Sequence, residues 1–141
     1  MAWTVLKNEY QPSGGRQVYG IWSGQADASA LSDTVVFDAS DFILPGGTAP
    51  TQISVDYMRV AVSSGIHAVL ELDATSDILL MGCPSDSVKE SPPPNFPRGD
   101  MIEGEMCTTD DTGTTGDIVL TTTTGAAGEG VTVEYVVTLV G

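Results

Sequence analysis

The stretch Gly116–Gly141, GDIVLTTTTGAAGEGVTVEYVVTLVG, decides the fold. Ile118 and Leu120 alternate with Val119 and Thr121. After the Gly-rich GAAGEG, the residues Val131, Val133, Tyr135, Val137 and Leu139 recur at every second position, and Thr132, Glu134, Val136 and Thr138 make a mostly polar opposite face. A period of two marks a half-buried strand, because successive side chains point to opposite faces of a sheet. The segment is therefore expected to be two strands and a turn, a hairpin that closes a β-sandwich.

Upstream stretches read the same way. Ala68, Leu70 and Leu72 alternate with His67, Val69, Glu71 and Asp73; the turn chemistry of DATSD then leads into Ile78–Met81, a hairpin-like pair. In TQISVDYMRVAVSSG, residues Ile53, Val55 and Tyr57 share one face and Met58, Val60 and Val62 take the other. Such a change of buried face implies a bulge or a strand passing between sheets. Thr34–Phe37 is a strand ended by DASD. Residues 83–100, CPSDSVKESPPPNFPRGD, hold five of the eight prolines and are expected to form a long surface loop over 84–100, since proline removes ladder donors.

At the N-terminus, Trp3–Leu6 and Gln17–Gly24 flank a turn at Pro12–Gly15, giving two short strands or extended arms. Residues 1–24 are thus either part of the same domain or a docking arm, ahead of a sandwich body at 25–141. No run carries a sustained helical stripe and no fixed period repeats. The expected fold is all-β: a single-domain antiparallel β-sandwich of about eight short strands, with a jelly roll among the topologies it allows.

The chain has 141 residues, enough for one core, and a formal net charge of -14 from 19 carboxylates against five Lys and Arg. Such a surface repels phosphate backbones and anionic lipids, so neither nucleic acid nor membrane is an expected partner. No stretch reaches the roughly 18 apolar residues of a membrane span, and MAWTVLKNEY lacks the basic and apolar regions of a signal peptide. Synthesis in a reducing cytoplasm argues against a bridge between Cys83 and Cys107.

Residues for chemistry are scarce. The only histidine, His67, sits in an alternating strand beside Ser63 and Ser64 with no triad spacing. Gly20–Gly24 has the wrong spacing for a nucleophile elbow. Three Cys and His residues at 67, 83 and 107 match no zinc pattern. Asp110, Asp111 and Asp117, or Asp38 and Asp41, offer hard oxygen ligands but no calcium-loop motif. Arg98-Gly99-Asp100 spells an adhesion tripeptide, read as coincidence. The expectation is no enzyme, no cofactor, no metal and no catalytic residue. Trp3, Tyr10, Tyr19 and Trp22 crowd the first 22 residues although the chain has only nine Phe, Trp and Tyr. With Arg16 they are candidates for contact with a partner or another subunit, the competing role being to cap the core.

Three stretches, WTVLKNEYQPSGGRQVYGIW, HAVLELDATSDILLMG and above all GDIVLTTTTGAAGEGVTVEYVVTLVG, resemble small proteins encoded among the virion structural genes of tailed bacteriophages. Some of these are capsid decoration, or cement, proteins with β-sandwich folds. The chain departs from the pattern in ending Leu139-Val140-Gly141 and in its Pro-rich loop. The resemblance implies a virion protein on the outer capsid surface that stabilises the head, partnered by the major capsid protein and by its own copies, trimers favoured. The alternatives are another virion component, such as a head–tail connector or a tail or fibre domain, and a carbohydrate-binding β-sandwich module.

Overall fold

The computed structural model describes residues 3–12, 17–42, 47, 52–74, 78–91 and 115–140. Nine strands and one 3-10 turn follow in order: β1 (Thr4–Pro12), β2 (Gln17–Gln25), β3 (Thr34–Phe37), η1 (Ala39–Asp41), β4 (Gln52–Val62), β5 (Ala68–Leu72), β6 (Ile78–Cys83), β7 (Ser87–Ser91), β8 (Ile118–Thr122) and β9 (Gly130–Val140). They form two antiparallel sheets packed face to face, a five-stranded sheet ordered β1-β2-β9-β4-β7 and a four-stranded sheet ordered β3-β8-β5-β6. From β2 onward the chain switches sheets at every connection except β5 to β6. That pattern, β2-β9-β4-β7 over β3-β8-β5-β6, is an eight-stranded jelly roll with β1 added at one edge.

The alternation of β9 is fulfilled: Val131, Val133, Tyr135, Val137 and Leu139 all lie in the core. The expected closing hairpin is not formed. β8 pairs with β3 and β5, while β9 pairs with β2 and β4 in the facing sheet, so the GAAGEG turn is a crossover between sheets. Side-chain period fixes a strand's faces but not its neighbours. The crossover is pinned at both ends: Gly125 N–H donates to Ser29 O at 3.1 Å where it leaves β8, and at its entry to β9 Ala26 N–H donates to Glu129 O at 2.7 Å, Ser63 N–H to Gly130 O at 3.0 Å, and Gly130 N–H back to Ser63 Oγ at 3.0 Å. Gly128, at φ +92°, makes the turn's left-handed corner.

The change of face in β4 is a bulge. The register against β9 slips between Val55 and Tyr57, leaving Asp56 as the extra residue. Ile53 and Val55 before it, and Met58, Val60 and Val62 after it, consequently all point into the core. Asp56 holds the distortion by accepting from Thr138 Oγ1 at 2.5 Å and from Gln17 Nε2 at 3.3 Å.

Part of the expected 84–100 loop is a strand. Ser87–Ser91 pairs with Met58–Val62 of β4 as the far edge of the five-stranded sheet. Short, polar and bordered by proline, SVKES has the composition of a protected edge. Residues 92–100 lie outside the described set. Cys83, just before this strand, is a buried free thiol within 3.7 Å of Val60 O; Cys107 lies outside the described residues.

Candidate functional site

The N-terminal segment is built into the sheet. β1 and β2 pair along their length, and β2 in turn pairs with β9 from Gln17 to Gln25, which makes β2 an interior strand. The candidate contact residues divide accordingly. Trp22 is 2% exposed and belongs to the core, where its ring lies over Gly24; a Cβ there would stand 2.5 Å from Trp22 Cη2. Trp3 is 8% exposed and its Nε1–H donates to Ser29 O at 2.9 Å. Both tryptophans therefore line the sandwich interior rather than a contact face. Tyr19, 42% exposed, projects from the outer face of the five-stranded sheet. Arg16 lies outside the described residues.

Tyr10 takes a third position. It is the cross-strand partner of Gly20, so it faces the same side as Val18 and Trp22. Because β1 overhangs the narrower facing sheet, Tyr10 remains 44% exposed. Its ring meets Phe42 edge-on at 5.0 Å, Phe42 stacks on Phe37 at 5.6 Å, and Phe37 meets Tyr135 edge-on at 5.3 Å. Four rings thus run from solvent to the centre of the core. Tyr10 Oη–H reaches Asp41 Oδ2 at 3.4 Å. Between β1 and β3 this leaves an open cleft of about 220 Å³, with Asn8 and Tyr10 on one wall, Val35–Phe37 on the other, and Asp38 and Asp41 at its rim.

Sequence reasoning singled out Tyr10, Asp38 and Asp41 separately. No signal joined them, because the tyrosine stands 31 positions from Asp41 and meets it only through the pairing of sheets.

The outer face of the five-stranded sheet is a charged and aromatic plane. Register aligns Glu9, Ile21, Glu134, Arg59 and Glu90 across all five strands. Arg59 lies 3.7 Å from both Glu90 and Glu134. Tyr57 donates to Glu90 Oε2 at 2.8 Å; burial, then the hydrogen bond to and charge of Glu90, push its phenol up to about 12.

At one end of the sandwich, three connections meet on Asp117. Its Oδ1 accepts from Ala39 N–H at 2.8 Å and its backbone O from Asp73 N–H at 3.0 Å, while Thr115 Oγ1–H donates to Asp73 Oδ2 at 2.8 Å. Burial first, then the carboxylates of Asp38 and Asp73, raise the Asp117 pKa to about 6, against the opposing pull of the Ala39 N–H. Among the described residues no three His, Cys, Asp or Glu are placed to hold a metal ion. Asp110, Asp111 and the Arg98–Asp100 tripeptide lie outside those residues. His67 sits immediately before β5, exposed, with its backbone exchanging hydrogen bonds with Thr123 at 2.9 and 3.0 Å.

Comparison with known protein families, with curated proteins and with solved structures finds no match to this chain. The class defined by the fold is an acidic all-β sandwich with jelly-roll connectivity.

Proposed function

We propose that this protein is a non-enzymatic virion structural protein that binds the outer surface of a tailed-phage capsid and stabilises it. The observation that carries the reading is where the resembling stretch falls. Gly116–Val140 supplies β8, an inner strand of one sheet, and β9, the middle strand of the other. The likeness to decoration proteins therefore lies in the scaffold itself. Jelly rolls serve as rigid bodies in viral capsid and lectin domains. The broad outer face of the five-stranded sheet, with Tyr19 projecting from it, supplies a contact plane for the major capsid protein or for neighbouring copies in a trimer.

The test is particle-based. Virions of the parent phage and of a deletion of this gene are imaged by cryo-electron microscopy and heated while DNA release is followed. Density on the outer capsid, lost in the deletion and restored with heat resistance by adding the protein, is the expected result. Density at the tail or neck, or equal heat resistance, overturns the reading. Saturable binding on a glycan array together with particles that lack the protein would assign it to carbohydrate binding instead.

A further inference from the structure

We infer that the cleft between β1 and β3 is the seat of a cationic side chain, arginine by preference, presented by a partner protein.

Size sets the first limit. At about 220 Å³ the cleft is smaller than the roughly 300–1,000 Å³ of sites that enclose a small-molecule ligand, and it suits a single inserted side chain. Its chemistry sets the second. One wall is aromatic, with Tyr10 packed edge-on against Phe42; the rim carries the carboxylates of Asp38 and Asp41, and Asn8 adds an amide. A planar guanidinium can lie on a ring face while donating to a carboxylate, which a compact ammonium does less well.

The field has the matching sign. Asp41 is the largest cause of the raised pKa of Tyr10, whereas Tyr135, at the inner end of the ring series, is raised by burial first and by Tyr10 and Asp41 after it. Among the described residues no cation answers that field. Lys7 is engaged with Glu9 at 3.4 Å, Arg59 lies on the outer face between Glu90 and Glu134, and Lys89 is on β7 at the opposite edge. Tyr10 Oη is the partner of the Asp41 carboxylate, at 3.4 Å, a length at which a better donor displaces it. Asp38 is committed locally, its Oδ1 accepting from Ser40 N–H at 2.9 Å and Ser40 Oγ–H at 2.6 Å. Asp41 is accordingly the carboxylate that receives the incoming charge.

This inference is independent of the capsid reading, since a cationic side chain can come from any protein partner. It is tested by amide NMR on the full chain, titrated with an acetylated and amidated Val-Arg-Val tripeptide and with the same tripeptide carrying neutral citrulline. The arginine peptide is expected to shift the amides of Asn8, Tyr10, Val36 and Asp41, and the citrulline peptide to leave them in place. Asp41→Asn is expected to weaken the effect about tenfold, the scale of one charge-assisted hydrogen bond, and Tyr10→Phe to preserve it. Asp41 is exposed at the end of η1, and unchanged amide dispersion elsewhere verifies that the variant folds. Equal shifts from both peptides, no shifts, or insensitivity to Asp41→Asn overturn the proposal. So does a shift of the same amides in an Arg16→Gln/Arg98→Gln variant without peptide, which would mean that this chain fills its own cleft.

Discussion

Gly20 and Tyr135 are direct cross-strand partners, and the side chain that Gly20 lacks is the space the Tyr135 ring occupies. A Cβ at position 20 would overlap the phenol end of a residue that is fully buried and whose Oη–H reaches Val36 O in the facing sheet at 3.4 Å. Gly20→Ala is expected to destabilise by about 1–3 kcal/mol, the usual cost of overpacking a filled core. Pairing it with Tyr135→Leu should cost less than the two single changes together, as measured by urea unfolding in a double-mutant cycle.

The N-terminal strands should differ in what they contribute. Removing residues 1–12 deletes an edge strand and Trp3. The product is expected to stay folded with a lowered Tm, since β2 can serve as the new edge. Removing residues 1–22 deletes most of an interior strand together with Trp22, and the product is expected not to fold. Trp22→Ala alone should cost about 3–5 kcal/mol. Circular dichroism and thermal melts of the three proteins check the order.

Asp117 makes stability depend on pH. Its pKa is about 6 in the folded chain, above the roughly 3.9 of an unfolded aspartate, so the folded state holds the proton more tightly. The associated stabilisation is full below about pH 4 and is lost as the pH rises through about 6. Asp117→Asn keeps the Oδ1 acceptor for Ala39 N–H but cannot ionise. Urea midpoints compared at about pH 4 and about pH 7.5 should therefore fall less in the variant than in the parent protein.

Cys83 should be silent to thiol reagents. It is 3% exposed, with Sγ 3.6 Å from Ser87 Oγ and 3.7 Å from Val60 O. In a Cys107→Ser background, where Cys83 is the sole cysteine, labelling by a disulfide reagent is expected only on unfolding, at a rate that rises with urea. Rapid labelling in native buffer would contradict this burial.

Much of this architecture was legible from period alone. β9 and β5 alternate over their whole lengths, and the change of face in β4 pointed to a bulge or to a strand passing between sheets; the register against β9 selects the bulge and puts it at Asp56. The sheet assignment was hidden. GAAGEG has the composition of a hairpin turn, and nothing in β8 or β9 says that their partners lie in different sheets. β7 was masked by neighbouring prolines and by the polarity proper to an edge. The tryptophans left contact and core-capping open, because whether a strand aromatic is buried depends on what packs around it, here Gly24 beside the Trp22 ring and the Ser29 carbonyl that takes the Trp3 Nε1–H. The cleft could not be read at all, for its walls come from β1 and from β3–η1, segments that meet only once both sheets are assembled.

The position of β9 has a consequence for how the protein is made. It is the last in chain order of the nine strands among the described residues, yet it stands between β2 and β4, and neither of those can complete its ladder without it. During synthesis, β1 through β8 must therefore wait with a row of unpaired backbone groups on each side of the missing strand. The five-stranded sheet can therefore close only after β9 has been made, because β2 and β4 both pair with it along their lengths, and such long-range pairing is slow. A nascent chain stalled before Gly130 would be a ready substrate for chaperones and proteases.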